Sequence, residues 1–328
     1  MNAARRLLLC AALTACGGTE VADPPPAAEP AGWIYFRPAD DMYAAPARID
    51  TESGAIEYLE LRPPFQPKPS YYYESGFVSS MTGDLSGKAR FGGLFPETFV
   101  LDAKSGEVTI YRDVTGPFTI SVDARHVRAP DGGAIAFERH QTSGCCSVWV
   151  LLHPSTGILD TLEAVANQVP YEFGWFGADT LLWWRTDAQF RSYALATGVS
   201  ADWNLVPFNN FKIPTTSLNR QWIAYWSLAD STVAGKGTVQ FVKLHLFDRQ
   251  RGTDTLLLTA PNQGDVVVTS LSESFDPDSR FLAYCTTFTN IRILELATGR
   301  VAKNLTVPHC YALTWSWGPE GRPARLGN

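Results

Sequence analysis

The sequence has 328 residues, of which 45% are hydrophobic, 12% aromatic and 18% charged, and its formal net charge is −6. This composition is typical of a globular protein and excludes a largely disordered chain. The 27 basic side chains are dispersed among 33 acidic ones, without the Lys and Arg clusters that phosphate backbones require, which argues against a nucleic-acid partner.

The first segment of the chain has the pattern of a secretory signal. Arg5 and Arg6 precede an apolar run at 7–15, which is too short to cross a bilayer as a helix. The run ends in Leu-Thr-Ala before Cys16, and this resembles the lipobox of bacterial lipoproteins. The resemblance implies that residues 1–15 are a signal peptide, cut before a cysteine whose sulfur is acylated. An ordinary signal peptide with an incidental cysteine is the alternative.

Residues 16–32 are expected to form a flexible, lipid-anchored tether. The segment is rich in Pro, Ala and Glu and has no apolar periodicity, so it cannot bury a core. In bacterial lipoproteins, Asp at the second mature position retains the protein in the inner membrane. This chain has Gly17 there, so the resemblance implies the outer membrane, facing the periplasm. No later apolar stretch is long enough to span a membrane, which leaves the lipid as the expected anchor.

A short polar turn ending in glycine recurs six times after the tether. The turns lie at 50–54, 102–106, 153–157, 194–198, 248–252 and 295–299. Their glycines are 52, 51, 41, 54 and 47 residues apart. Glycine supplies the positive φ that a tight hairpin turn needs, so each turn is predicted to join two antiparallel strands.

A second turn recurs in step with the first. It lies at 85–89, 129–134, 176–180, 218–222, 276–280 and 318–322. Each turn is expected to lead into a short apolar strand, as at Ile135–Phe137 and Phe281–Tyr284. A repeat of about 40–50 residues that carries four strands is typical of one blade of a β-propeller.

Two segments of the sixth repeat resemble a known family. Asp-Pro-Asp-Ser-Arg-Phe-Leu-Ala-Tyr at 276–284 and Leu-Glu-Leu-Ala-Thr-Gly at 294–299 are similar to the repeat signatures of the TolB-like propellers, which are relatives of the WD-repeat proteins. The resemblance implies a propeller fold and a protein-binding face. It says little about chemistry.

Residues 33–328 are predicted to form a single all-β domain, a six-bladed β-propeller of four-stranded antiparallel blades. The first repeat lacks an innermost strand, and the last segment, at 312–317, supplies little else. Pairing of the N- and C-terminal strands would therefore close the ring and remove its open edges. A seven-bladed ring, with a further repeat hidden at 62–76, is the alternative.

The two regular turns lie on one face of such a ring, and longer loops lie on the other, the long-loop face. Loops held by a rigid scaffold are the usual location of binding residues, and aromatic side chains dominate protein contacts. The candidate binding rim consists of Phe65, Lys68, Tyr71, Tyr72, Tyr73, Phe211 and Lys212. A further long loop is expected at 227–237. These residues favour a protein or peptide partner from the envelope, bound by a monomer, although the tyrosines could equally pack their loop.

The sequence predicts no catalytic residue, metal ligand or cofactor. It has no HExxH, GxSxG or phosphate-cradling glycine motif. His153 is expected to be a turn residue, and His245 is expected to lie exposed beside Lys243. The alternatives to a protein-binding scaffold are a lactonase-like, metal-dependent hydrolase and a glycan or small-molecule binder.

Cysteines are expected to pair in an oxidising compartment. Cys285 ends a strand of the sixth blade, and Cys310 lies in the segment leaving that blade, so a Cys285–Cys310 disulfide is predicted. Cys145 and Cys146 remain, and they would form either a strained vicinal disulfide or two free thiols.

Overall fold

The computed structural model describes residues 29–38, 46–59, 78–80, 83–89, 97–102, 104–111, 118–120, 126–141, 146–166, 173–184, 190–203, 214–233, 237–261, 273–311 and 313–321. All regular structure in these ranges is β-strand. The strands are β1 (Trp33–Phe36), β2 (Ala47–Asp50), β3 (Ile56–Tyr58), β4 (Val78–Ser79), β5 (Leu85–Ala89), β6 (Glu97–Leu101), β7 (Val108–Tyr111), β8 (Phe118–Ile120), β9 (His126–Arg128), β10 (Ile135–Gln141), β11 (Cys146–His153), β12 (Ile158–Ala166), β13 (Phe173–Phe176), β14 (Thr180–Trp184), β15 (Phe190–Ala194), β16 (Val199–Trp203), β17 (Thr215–Thr216), β18 (Trp222–Val233), β19 (Gly237–Asp248), β20 (Thr253–Pro261), β21 (Glu273–Phe275), β22 (Phe281–Thr287), β23 (Asn290–Glu295), β24 (Arg300–Thr306) and β25 (Thr314–Ser316).

These strands form six antiparallel sheets, which are the blades of a propeller. From the innermost strand outwards, blade 1 is β25-β1-β2-β3, blade 2 is β4 to β7, blade 4 is β13 to β16, blade 5 is β17 to β20, and blade 6 is β21 to β24. In blade 3, β10, β11 and β12 are the outer strands, and the inner position is shared by β8 and β9. Both short strands pair with β10, β8 opposite Arg139–Gln141 and β9 opposite Ile135–Phe137.

The ring closes as the sequence predicts. β25, from the end of the chain, pairs with β1, and Ile34 lies opposite Trp315. The inner strands contact one another in the order β25, β4, β9, β13, β17, β21 and again β25. Six blades therefore complete the circle, and the seven-bladed alternative is wrong.

The glycine turns join the third and fourth strands of each blade, as expected. Their six glycines have φ between 66° and 76°. Each glycine N–H donates to the carbonyl of the residue four positions earlier, as Gly299 does to Glu295 at 2.8 Å. A side chain with a Cβ would be strained in this left-handed conformation, which explains why the same residue recurs.

One turn of the second series was wrongly predicted. Residues 85–89 form β5, and the turn lies just before them, where Ser80 N donates to Asp84 O at 3.0 Å and Gly83 N donates to Ser80 O at 3.0 Å. Leu85 and Ser86 are buried in the blade, so burial outweighs the local turn character of the Ser-Gly-Lys segment. Gly83, with φ of 86°, supplies the turn.

The long loop predicted at 227–237 is also not a loop. β18 and β19 pair continuously from Trp222 opposite Asp248 to Val233 opposite Gly237. The β-branched residues of this segment suit a strand, and the hairpin extends blade 5 on the long-loop face.

The second strand of a blade is buried on both faces, because the neighbouring blades cover both. Trp222–Trp226 in blade 5 and Phe281–Cys285 in blade 6 are buried at every position. The largest core cluster joins blades 5, 6 and 1 and includes Trp226, Phe281 and Trp315. The blades that close the ring thus share a well-packed core, and this core supports the loops of their long-loop face.

Candidate functional site

The binding rim predicted from the sequence cannot be placed. All seven of its residues, together with Cys16 and Cys145, lie outside the described residues. Cys146 begins β11, but only its backbone is described.

The described part of the long-loop face contains a different group of ring side chains. His309 stacks on Phe288, with ring centroids 5.9 Å apart and 15° between the planes. Tyr311 follows, 6.4 Å from His309. The guanidinium carbon of Arg37 lies 5.1 Å from the centroid of the Tyr311 ring, which is a cation–π distance. These four residues, Arg37, Phe288, His309 and Tyr311, are called the aromatic rim cluster.

Three separate segments build the aromatic rim cluster. Phe288 lies in the tight turn between β22 and β23, Arg37 follows β1, and the other two residues lie in the crossover from blade 6 to blade 1. Phe288 is 40% exposed, a large fraction for an aromatic side chain. The remaining three side chains are half-buried. The cluster therefore offers an exposed ring on a supported base.

Covalent and hydrogen bonds fix these segments to the blades. A disulfide joins Cys285, near the end of β22, to Cys310 in the crossover, with the Cα atoms 5.9 Å apart. Arg37 N donates to Tyr311 O at 3.0 Å, and Val307 N donates to Thr289 O at 2.9 Å. A partner would meet side chains that lose little further conformational freedom on binding.

Sequence reasoning missed this cluster because its residues are dispersed along the chain. One local signal was available. Phe288 stands between Thr287 and Thr289 in a turn that would normally be polar throughout, and an aromatic residue there is unusual.

The second candidate site is the central channel. The inner strands of blades 3, 4, 5, 6 and 1 line a cavity of about 240 Å³. Its wall is mixed, with Trp175, Phe275 and Trp315 among hydroxyl and carboxyl side chains.

The carboxylates Glu273 and Asp276 in this channel are hydrogen-bonded to neighbouring strands and turns. Glu273 Oε1 accepts from Thr215 Oγ1 at 2.8 Å, and its Oε2 accepts from Trp226 Nε1 at 2.5 Å, so it ties blade 6 to blade 5. Asp276 is buried and accepts the backbone N–H groups of Arg280 and Phe281, each at 2.6 Å. Burial raises the pKa of Asp276 to about 6, against the opposing effect of these N–H donors. The two carboxylates thus stabilise the inner strand of blade 6 and the turn that follows it.

His153 and His245 lie in different surroundings, and only the first matches its prediction from the sequence. His153 ends β11 at a turn, and its Nε2 lies 2.9 Å from Asp160 Oδ2. His245 was expected to be exposed, and this is wrong. Its ring stacks on Tyr225 with centroids 4.7 Å apart, and its side chain is only 18% exposed. The cause is the cross-strand register, which places the two rings directly opposite.

Within the described ranges, no three His, Cys, Asp or Glu side chains lie close enough together to hold a metal ion. The same residues include no helix with the length and hydrophobicity needed to cross a bilayer.

No protein-family model and no curated protein matches the chain. Among solved structures, it is similar to TolB from Acinetobacter baumannii, with 16% identity and a TM-score of 0.53. The alignment covers 87% of this chain and 66% of the TolB chain, so the chain spans slightly less than two thirds of that protein.

Other similar structures include a nidogen/laminin complex and an oligogalacturonate lyase in complex with manganese. The first has 12% identity, a TM-score of 0.49, and coverage of 86% of this chain and 98% of the other. The second has 9% identity, a TM-score of 0.46, and coverage of 82% and 77%. At these identities the likeness shows the fold alone, a TolB-like β-propeller.

Proposed function

We propose that this chain is an envelope lipoprotein whose propeller binds a protein or peptide partner through its long-loop face. The proposal combines the lipobox-like sequence before Cys16, the propeller fold and the aromatic rim cluster. A propeller with neighbours such as TolB is consistent with a protein-binding scaffold.

The observation that carries the proposal is the exposed ring of Phe288. Exposed aromatic side chains on a rigid support, with an arginine beside them, are typical of the residues that dominate protein interfaces. Phe288 rests on His309, and Arg37 rests on Tyr311. A partner side chain could therefore bury an aromatic face and contact a cation at one place.

Site-specific crosslinking tests the proposal. A photo-crosslinking phenylalanine analogue at position 288 is expected to capture a discrete envelope protein in the native cell. The same analogue at position 301 is the control, because Val301 is 48% exposed in the same blade but lies beside the glycine turn, on the opposite face.

Substitution supplies the second arm of this experiment. With the crosslinker retained at position 288, Tyr311→Ala is expected to reduce capture at least fivefold, and Val301→Ala is expected to leave it unchanged. Equal capture from both faces, or no effect of Tyr311→Ala, would contradict binding at the aromatic rim cluster.

A further inference from the structure

In blade 5, Ser227, His245 and Asp254 form a hydrogen-bonded row that no sequence motif indicates. Ser227 Oγ lies 3.0 Å from His245 Nε2, and His245 Nδ1 lies 3.1 Å from Asp254 Oδ2. The three residues come from β18, β19 and β20, three neighbouring strands of one sheet. They are called the Ser227 array.

One tautomer of His245 satisfies both contacts. With the proton on Nδ1, the Asp254 carboxylate accepts the Nδ1–H, and Nε2 has a lone pair that can accept the hydroxyl proton of Ser227. Tyr225 also donates to Asp254 Oδ2, at 2.6 Å, and its ring stacks on the imidazole. The base is therefore held both in tautomer and in orientation, which is how a serine hydroxyl is activated as a nucleophile.

The backbone shows why these side chains meet. Ser227 pairs with Lys243, two residues from His245 along β19, so serine and histidine are diagonal neighbours on one face. The register between β19 and β20 shifts between Leu244 and His245, and this irregularity brings Asp254 within reach of the ring.

Solvent and a cation are both available to the array. The side chain of Asp254 is 40% exposed and that of His245 is 18% exposed, while Ser227 is half-buried. Lys243 lies directly opposite Ser227 on the same face, and among the described residues its ammonium forms no ion pair. A cation so placed could stabilise negative charge that develops beside Ser227.

The geometry points to Ser227 as an activated nucleophile that takes the acyl group of a small carboxylic ester. Ser227 Oγ forms a bond to the carbonyl carbon, and its proton passes to His245 Nε2. Collapse of the intermediate breaks the bond to the alkoxy group, which leaves as an alcohol with that proton. Water repeats the two steps on the acyl-serine, releasing the carboxylic acid and restoring the hydroxyl group. This site is independent of the aromatic rim cluster.

A fluorophosphonate probe tests the nucleophile in the intact protein. The probe is expected to label Ser227, and peptide sequencing by mass spectrometry locates the modification. Ser231 is an internal control, because it is exposed on the same strand and forms no hydrogen bond with a histidine among the described residues. Both serines fall between Arg220 and Lys236, in one tryptic peptide. At least tenfold preference for Ser227 in the folded wild-type protein is expected, and equal labelling of both serines would overturn the proposal.

Variants separate the roles of the other residues. His245→Gln is expected to reduce labelling of Ser227 at least tenfold, as is Asp254→Asn, whereas Asp254→Glu should restore part of it because a carboxylate returns. Tyr225→Phe keeps the stacked ring but loses the hydrogen bond to Asp254, so it should reduce labelling less than Asp254→Asn does. Ser227→Ala should lower the release of p-nitrophenol from p-nitrophenyl acetate at least tenfold. Labelling of Ser227 that persists in a folded His245→Gln protein would show that His245 does not activate this serine, and it would overturn the proposal.

Discussion

Asp276 is the described carboxylate whose ionisation is most altered by folding. It is 2% exposed, and its side chain closes the turn into β22 by accepting backbone N–H groups. Burial raises its pKa to about 6, well above the usual range of an aspartate. Asp102 shows the opposite case at an exposed turn, where the backbone N–H and the hydroxyl of Ser105 lower the pKa of its carboxyl group. Two aspartates in turns of the same fold therefore have pKa values that are shifted in opposite directions.

The raised pKa of Asp276 predicts a loss of stability as pH rises. Between about pH 4 and pH 6 the folded protein binds a proton that the unfolded chain has released, so the free energy of unfolding falls across this window by on the order of 3 kcal/mol. Asp276→Asn should remove this component. Urea unfolding of both proteins at several pH values measures it, as the difference between wild type and variant.

Asp102→Asn is the control for this measurement. The folded pKa of Asp102 is depressed, so its contribution is present at neutral pH and is lost as pH falls through the folded value. The two variants should therefore change the pH profile in opposite directions. A wild-type profile that rises from pH 4 to pH 6 relative to Asp276→Asn would contradict the assignment.

At the scale of elements, the aromatic rim cluster depends on how β22 is joined to the crossover that follows blade 6. Cys285 and Cys310 are both fully buried, and 25 residues separate them in sequence. The crossover otherwise has a few backbone hydrogen bonds, such as that of Val307 with Thr289. The disulfide thus restrains a segment that has little regular structure of its own.

Removal of this disulfide is predicted to cost about 3 kcal/mol of unfolding free energy, because it closes a loop of intermediate length in the unfolded chain. The double variant Cys285→Ala/Cys310→Ala should show this loss in denaturant unfolding, and reduction of the wild-type protein should lower its stability similarly. Cys145→Ala/Cys146→Ala is the matched control. An unchanged midpoint for the first pair, measured under oxidising conditions, would refute the prediction.

At the scale of the whole molecule, the termini of the propeller lie in one blade. β25 pairs with β1, and Trp315 Nε1 donates to Ala31 O at 3.0 Å. Ala31, in the segment that ends the predicted tether, therefore lies beside the last strand. The predicted tether would therefore enter the ring at blade 1, which also carries Arg37 of the aromatic rim cluster.

The proposed lipid anchor makes a prediction about the location of the whole protein. Cys16→Ala should move the protein from the membrane fraction to the soluble fraction of the envelope, because no acyl chain can be attached. Cys10→Ala, within the predicted signal peptide, should leave it in the membrane fraction. Fractionation with mass spectrometry of the mature N-terminus checks both. Membrane retention of the Cys16→Ala protein would argue against the anchor.

Much of the fold follows from local chemistry that repeats. A glycine turn demands a left-handed residue wherever it occurs, so its six copies could be counted without coordinates. Ring closure followed because the first and last repeats complement each other. The turn predicted at 85–89 failed because local turn residues there compete with burial of Leu85, and burial depends on neighbouring blades. The loop predicted at 227–237 failed because cross-strand pairing extends the hairpin.

The sequence by itself determined the class of fold and favoured six blades with paired terminal strands, since both follow from spacing and from residues close together in the chain. The contacts between the inner strands then excluded a seventh blade. Only the tertiary structure decided which side chains meet. Arg37 reaches Tyr311 because the ring closes, and His245 reaches Asp254 because a register shift moves one strand against another. Such contacts depend on the distances between strands and blades, and no local pattern of residues encodes those distances.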